Sequence, residues 1–305
     1  MTKDARAVMR SVLVLACLML ICGPGVGRAQ TTLTGVWSGA FNPSRHEELY
    51  MSFQRRQEKE PGKQGGTTYA YDLADFKGLS REHARGSVAV RFSLTREAGT
   101  VECEGTFDDG KGSGTFRFTA NQGFVSAMRS RGIEFEKKSP SGDERSVEDR
   151  LFAATTLNVT TALADALRAE GLSGLDEADL FKAVMFKVDP QFIREMAASG
   201  YPNLGMERLT KARILGVDPA FVRQATQLGF EKLSFENLIQ MRMFRVTPEF
   251  VEEARQAGLE KPSVEELVKL RIFLIDGDFI RQAKAAGAPL EVDKLVQRRI
   301  DAWTR

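Results

Sequence analysis

Apolar and polar residues alternate with a period of two over the first part of the chain, which predicts strands buried on one face. The segments "SVAVRFSLT", "TVECEGTF" and "GTFRFT" follow this rule most clearly. The turn-forming run "DDGKGSG" separates the last two and predicts a hairpin. Further strand candidates are "LTGVWSGAF", "LYMSFQ" and "TTYAYDLADF". Five to seven short antiparallel strands therefore predict a small sandwich or barrel within a β-rich module of residues 30–136.

In the second half, the apolar residues follow a helical period, and the whole pattern recurs every 29 residues. A branched apolar residue marks each copy. These residues are Val159, Val188, Val217, Val246 and Ile275. Residues 149–305 are accordingly divided into five 29-residue units of two helices each, after a charged, turn-rich linker at 137–148.

Each unit carries signals that begin and end its first helix. In the second unit, Asp189 is a predicted N-cap and Pro190 occupies the first helical position. Val188 and Ile193 have the spacing of a hydrophobic staple, and Gly200 predicts a left-handed residue at the helix end. A single helix pair leaves its apolar stripe exposed, whereas a stack of five buries it. The predicted fold class is α+β multidomain, with a small antiparallel β-sandwich or barrel followed by an all-α, solenoid-like repeat domain.

The first 29 residues are a predicted secretory signal peptide. Three basic residues precede the apolar run "SVLVLACLMLICG", and small residues follow it ahead of a cut before Gln30. The run is too short to cross a hydrocarbon core of roughly 30 Å as a helix. We expect an exported protein, periplasmic or extracellular. The alternatives are an uncleaved N-terminal segment that anchors the chain in the membrane, and lipid attachment at Cys17.

Removal of this leader takes away four basic side chains and one acidic one, so the formal net charge changes from +2 to −1. No net positive charge remains to indicate nucleic-acid binding, and membrane contact is expected only if the leader is retained. The mature chain keeps one cysteine, Cys103, on the apolar face of a predicted strand. It therefore has no internal disulfide, and Cys103 is expected to be a small buried hydrophobe.

Two segments were candidates for catalysis or metal binding. "HEELY", from His46 to Tyr50, begins like a zinc-protease motif, but Tyr50 stands where the second histidine is needed. Asp108 and Asp109 lack the further oxygen ligands of a calcium loop. As a hydrolase centre, these two carboxylates would also lack a pocket that sets their pKa values apart. We therefore predict no catalytic residue, no metal site, no cofactor and no enzymatic activity.

Two features are candidate binding sites. The first is a column of arginines at the end of each second helix: Arg213, Arg242, Arg271 and Arg299. This column is either a cationic ladder for an acidic or phosphorylated partner, or a set of structural contacts to helix-end carbonyls and to the next cap, such as Asp218 after Arg213. The second is Trp37 in "GVWSG", which either fills the core or reports a ligand pocket inside an open barrel.

The combination of "VRFSLTREAGTVECEGTF", "GSGTFRF" and "VTPEFVEEARQAGL" repeats resembles the exported C-terminal extensions of bacterial antirepressor-type membrane metallopeptidases linked to beta-lactam sensing. The resemblance runs from about Thr32 to the C-terminus, and it lacks the peptidase part. It implies a free-standing extracytoplasmic region and no proteolysis. The leading hypothesis is a non-catalytic exported module that binds a protein, a peptide or an envelope component through its repeats, with a possible role in signalling. The alternative is a small-molecule sensor in the β module.

Overall fold

The structure, a computed structural model, describes residues 32–42, 48–55, 67–136 and 145–304. The predicted signal peptide, His46 and residues 137–144 of the predicted linker lie outside these ranges. The chain forms two compact units. One comprises the described residues up to Thr95 together with Gly99–Ala120, and the other comprises Arg96–Ala98 and the residues from Asn121 onward.

The first unit is a seven-stranded antiparallel sheet. Its strands are β1 (Thr32–Asn42), β2 (Glu48–Arg55), β3 (Thr67–Asp72), β4 (Phe76–Lys77), β5 (Val88–Arg96), β6 (Gly99–Asp108) and β7 (Lys111–Ala120). Their order is β3-β2-β1-β7-β6-β5-β4, so β3 and β4 form opposite edges. Only the 3-10 turn Leu73–Asp75 joins these two edges, and three residues span at most about 10 Å. The sheet must therefore curl strongly, which confirms the predicted small antiparallel β fold.

The hairpin between β6 and β7 forms where the turn signals predict it. Asp108 pairs with Lys111, which leaves a two-residue turn of Asp109 and Gly110. Both turn residues have positive φ angles, 43° and 82°. This conformation matches the twist of the flanking strands, and it favours glycine at the second position. The loop is shorter than the turn-rich run suggests, because residues 111–114 already belong to β7 and pair with β6.

Aromatic side chains fill the concave side of the sheet. The Trp37 ring lies 5.2 Å from Phe92 and 5.6 Å from Phe107, centroid to centroid. Phe76, on the β4 edge, lies 5.3 Å from Tyr71 on the β3 edge. A Cβ on Gly105 would come within 2.8 Å of the Trp37 ring, so this position needs glycine for the close approach. The curl brings β1 against β5 although two strands separate them in the sheet.

The second unit contains twelve helices among the described residues. They are α2 (Gln122–Arg129), α3 (Val147–Leu157), α4 (Thr161–Ala169), α5 (Glu177–Phe186), α6 (Pro190–Ala198), α7 (Met206–Leu215), α8 (Pro219–Gln227), α9 (Phe235–Met243), α10 (Pro248–Ala257), α11 (Val264–Ile272), α12 (Gly277–Ala285) and α13 (Val292–Trp303). The short helix α1 (Arg81–Arg85) belongs to the first unit. We call the even-numbered helices from α2 to α12 leading helices and the odd-numbered helices from α3 to α13 trailing helices. Successive trailing helices pack against one another from α3 to α13.

The predicted helix signals are confirmed in every copy from the second to the fifth. The N-cap side chain accepts a hydrogen bond from the backbone N–H three residues later. These caps are Asp189, Asp218, Thr247 and Asp276. Gly200 has a φ of 98°, and its counterparts in the other units are also left-handed. Because the same local contacts begin and end the leading helix of each unit, the starts and ends of these helices also recur about every 29 residues.

The helix pair α2–α3 is not among the five pairs that the sequence predicts. α2 is a leading helix in its capping and ending: the Asn121 side chain accepts from a backbone N–H, and Ile133 N donates to Met128 O at 3.0 Å. Tyr201 N donates to Met196 O in the same way at 3.1 Å. α3 ends at Asn158 with a φ of 60°, as α5 ends at Lys187 with 55°. The helical series therefore begins at Asn121, whereas the β-rich module predicted for 30–136 includes α2.

Candidate binding surface

The arginine column stacks on the phenylalanine column of the leading helices. Each guanidinium carbon lies over the ring of the phenylalanine in its own unit, at 3.7 to 4.2 Å from the ring centroid. The pairs are Arg213 on Phe192, Arg242 on Phe221, Arg271 on Phe250 and Arg299 on Phe279. The first unit has Leu163 and Val184 at the corresponding positions, so both partners are absent together. The stack joins the two helices of a unit, and it fixes the plane of each guanidinium.

Two of the four arginines also reach a helix-end carbonyl. Arg271 donates from Nε and Nη2 to the carbonyl oxygen of Arg245, at 3.0 and 2.7 Å. Arg299 donates to the carbonyl oxygen of Leu274. Arg245 and Leu274 are the left-handed residues that end the preceding trailing helices, with φ angles of 52° and 53°. The predicted structural contact therefore forms at these two positions.

Arg213 and Arg242 differ from the other two. Arg213 lies 3.7 Å from the carboxylate of Asp189, and it lines one groove together with Asp218. Its buried Nε has no hydrogen-bond partner among the described residues, which is also true of Arg299. Arg242 is exposed and stacks on the Phe221 ring, and its guanidinium makes no hydrogen bond or ion pair within the part of the chain that the structure describes. The guanidinium groups at the first two ladder positions thus keep N–H groups available for another acceptor.

A row of exposed apolar side chains runs beside the ladder. Met185, Ile214, Met243 and Ile272 are 50%, 59%, 50% and 49% exposed, and they recur at 29-residue intervals. By contrast, the leucines of the same trailing helices are buried at 0 to 1%: Leu180, Leu209, Leu238 and Leu267. Core packing does not account for apolar side chains that are exposed at the same place in four successive units. The 29-residue spacing shows this row in the sequence, but its exposure becomes visible only in the structure.

The same helix ends carry only positive charge. We define the basic–apolar edge as residues 182–187, 211–216, 240–245 and 269–274, the last turns of α5, α7, α9 and α11 with the one or two residues that follow. These segments hold eight Lys and Arg residues and no Asp or Glu. Lys187, Lys211 and Arg245 are exposed, and their side chains have no ion-pair partner among the described residues. The opposite ends of these helices carry the carboxylates, which are used between units, as in Arg208 to Glu236 at 2.7 Å.

A groove of about 910 Å³ opens beside the edge between the leading helices α6 and α8. Phe192 and Arg213 line it together with Ser199 from α6 and Arg223 from α8. Glu195 and Asp218 also line it, so its charge is mixed. Asp218 accepts the backbone N–H of Phe221 as the N-cap of α8. The groove can accept a polar side chain from outside, with the stacked Arg213 as its main donor.

The remaining candidate residues have structural contacts. Trp37 is 1% exposed, and its indole N–H donates to the carbonyl oxygen of Glu104 at 3.2 Å. A ligand at Trp37 would therefore have to displace the surrounding aromatic rings. His83 completes a capping box with Ser80 at the start of α1. Cys103 is fully buried, as predicted, and its burial raises the pKa of the thiol.

Within the described ranges, no group of three or more His, Cys, Asp or Glu side chains is placed to hold a metal ion. Among the same residues, no helix has both the length and the apolar character needed to cross a membrane.

No protein-family model matches the chain, and a search of curated proteins finds no significant match. Neither result bears on the resemblance to the extensions of antirepressor-type metallopeptidases, which stays a prediction.

Proposed function

We propose that the chain is a non-catalytic binding protein, exported from the cytoplasm, whose helical repeats dock a protein partner along the basic–apolar edge. On this proposal no bond is made or broken, and the repeats act as a scaffold that displays one surface several times. A role in signalling would follow from the identity of the partner.

The exposed row of Met185, Ile214, Met243 and Ile272 carries this proposal. Large apolar side chains that are contiguous on a surface favour protein–protein contact, because a partner removes them from water. A helical repeat array extends such a row over several units, and this extended surface is the feature that repeat proteins use for binding.

Site-specific photo-crosslinking in cells that express the chain tests the proposal. A photoreactive phenylalanine analogue at Ile214 or Met243 is expected to yield a covalent adduct of one discrete mass. The matched control sites are Glu231 and Glu260, which are exposed and occupy equivalent positions in the turns at the other end of the units. Adducts at Ile214 and Met243 but not at the control sites support the proposal. No adduct at any site, or equal adducts at all four, contradicts it.

A further inference from the structure

We propose that the occupant of the basic–apolar edge is an acidic, apolar-containing segment of the partner protein, whose carboxylates bind Arg213 and Arg242 while its apolar side chains cover Ile214 and Met243. This inference rests on the proposed function and adds the chemistry of the partner to it.

The charge of the edge favours an acidic partner. Eight cations and no carboxylates occupy its four segments, and five exposed apolar side chains, the row and Leu274, lie among them. Three of the cations, Lys182, Arg213 and Lys269, lie within 4 Å of carboxylates outside the segments. The helix macrodipole favours cations in a last helical turn, which accounts for part of this bias. It does not account for apolar side chains at about half exposure in the same turns. A partner that satisfies both features carries negative charge and apolar side chains together.

Comparison within the ladder locates the site. Arg271 and Arg299 donate to backbone carbonyls of the preceding unit, so each already has an acceptor within the chain. Arg213 and Arg242 occupy the same position in the two preceding units without that bond. The four stacked arginines thus divide into two that donate to a backbone carbonyl and two that do not, of which Arg213 has a long contact of 3.7 Å to the Asp189 carboxylate. Arg213 and Arg242 are in adjacent units, and each is followed directly by an exposed apolar residue.

The stacked guanidinium groups suit carboxylates. The Phe192 ring covers one face of Arg213 at 3.7 Å, and Phe221 covers Arg242 at 3.8 Å. A guanidinium held flat on a ring loses less side-chain entropy when it binds, and its fork of N–H groups matches the two oxygens of a carboxylate. Lysines on an open surface would not provide this orientation.

The groove favours a protein segment over an anionic membrane surface. Arg213 lies in the groove between α6 and α8, with the two helices on either side. A single side chain of a peptide can enter this space and reach the guanidinium, whereas the headgroup plane of a bilayer cannot follow the groove. Membrane binding is therefore the competing outcome of the test.

The repeat spacing predicts the spacing of the carboxylates. α7 and α9 pack against each other, and packed helices lie about 8–10 Å apart. An extended peptide rises roughly 3.3 Å per residue and alternates its side chains between two faces, so acidic residues about two or four positions apart, on the same face, would match the two arginines. The segment is expected to carry an apolar residue next to each of them.

Selection from a phage-displayed library of random 12-residue peptides against the full chain tests the inference. The expected result is enrichment of Asp or Glu about two or four positions apart together with Leu, Ile, Met or Phe. The enriched peptides are then synthesised, and their binding is measured by fluorescence polarisation. Arg213→Gln/Arg242→Gln and Ile214→Ser/Met243→Ser are each expected to weaken binding at least 10-fold. Arg213→Lys/Arg242→Lys keeps the charge but not the fork, and an intermediate loss is expected.

The matched control is Lys232→Gln/Lys261→Gln, which removes the same charge from exposed residues in the turns at the other end of the units. It should leave binding unchanged. Enriched peptides without acidic residues, or peptides that bind the Arg213→Gln/Arg242→Gln variant as tightly as the parent, overturn the inference and leave the proposed function standing. Failure of the parent chain to enrich any peptide, with binding to anionic phospholipid vesicles instead, overturns the inference in favour of a membrane. No enrichment, no vesicle binding and no crosslinks remove both proposals.

Discussion

The sheet unit buries its apolar residues in contacts that each occur once, whereas the helical unit buries them in contacts that recur from repeat to repeat. In the sheet, Trp37, Phe92 and Phe107 come from three different strands, and each makes contacts found once in the molecule. In the helical unit, a contact such as the Arg271–Phe250 stack recurs in four units. A contact that occurs once has no copy in the molecule with which it can be compared. A repeated contact can be compared with its copies, so the positions where the copies differ stand out.

This difference decides where each unit can be searched for function. In the helical unit, features common to all copies begin, end or pack a helix, as the Asp189 cap and Gly200 do. What packing leaves unexplained is the exposed apolar row and the incomplete contacts of Arg213 and Arg242. The sheet offers no such internal reference, and its filled interior gives no direct support to the small-molecule hypothesis.

The first prediction has the largest expected effect and concerns the aromatic core of the sheet, whose contacts have no repeated copies. Trp37→Ala removes the ring that contacts Phe92 and Phe107, and truncation of a buried Trp typically costs about 3–5 kcal/mol. The buried thiol of Cys103 reports the opening of the sheet, because it reacts only when exposed. Labelling of Cys103 by a thiol reagent, followed by mass spectrometry, should accelerate more than about 100-fold, since 1.4 kcal/mol corresponds to roughly tenfold.

Val36→Ala is the control for this variant, because Val36 lies on the same strand and is 46% exposed. Its effect on labelling should stay below about fivefold, which corresponds to less than about 1 kcal/mol. If Trp37→Ala left the labelling of Cys103 as slow as in the parent, the aromatic cluster would not be what holds the sheet closed.

The second prediction concerns the one buried ion pair among the described salt bridges. Arg150 on α3 and Glu177 on α5 are 3% and 8% exposed, with Nη1 and Oε2 3.0 Å apart. Glu177→Ala leaves a buried charge behind and should lower the free energy of unfolding of the helical unit by about 3 kcal/mol. Denaturant unfolding followed by helical circular dichroism measures this loss.

Arg208→Ala provides the comparison, since it breaks the pair with Glu236 that is more than half exposed on both sides. Its cost should be less than about 1 kcal/mol. Arg150→Met/Glu177→Leu replaces both charges by apolar groups of similar volume and should recover most of the loss. Equal losses of unfolding free energy for Glu177→Ala and Arg208→Ala would mean that burial does not make the Arg150–Glu177 pair more important to stability than an exposed pair.

The two units also differ in how far the sequence predicts them. Helix starts such as Asp189–Pro190 depend on residues within a few positions, so the pattern predicts five helix pairs correctly. The pair α2–α3 was missed because its turn is longer and its leading helix lacks the proline. A signal was nevertheless present, because Asn121, Phe124, Val125, Met128 and Gly132 have the same spacing as Asp189, Phe192, Ile193, Met196 and Gly200. The strand order is not predictable in this way, because the pairing of β1 with β7 depends on contacts distant in sequence.

The candidate site shows the same limit. The arginine column was found from its spacing, but its partners were not, because Phe192 and Arg213 meet only when two helices fold against each other. Periodicity likewise marks Met185 and its counterparts as apolar, which predicts burial rather than exposure. Sequence patterns therefore located the four arginines, whereas the exposed apolar row beside them and the partners of each guanidinium became visible only in the tertiary structure.

The third prediction separates the two halves of the ladder. Arg271→Ala loses both the stack on Phe250 and the two hydrogen bonds to the Arg245 carbonyl, so it should cost about 1.5–2 kcal/mol. Arg242→Ala loses only the stack on Phe221 and should cost about 0.5–1 kcal/mol. Denaturant unfolding of the two variants measures the difference. Equal losses would show that Arg242 contributes as much to stability as Arg271. Arg242 would then have no unused hydrogen-bonding groups to offer a partner.

The smallest expected effect on stability belongs to the apolar row. Ile214→Ser/Met243→Ser changes two exposed side chains, and each substitution should alter the free energy of unfolding by no more than about 0.5 kcal/mol. Leu209→Ala/Leu238→Ala in the same two helices removes buried side chains and should cost about 2–5 kcal/mol per site. Denaturant unfolding of both double variants makes the comparison directly. A large loss for the serine variant would mean that Ile214 and Met243 support the fold, and that their exposure does not mark a surface kept for a partner. A negligible loss in the free energy of unfolding, together with weaker partner crosslinking, would instead indicate that Ile214 and Met243 contact the partner.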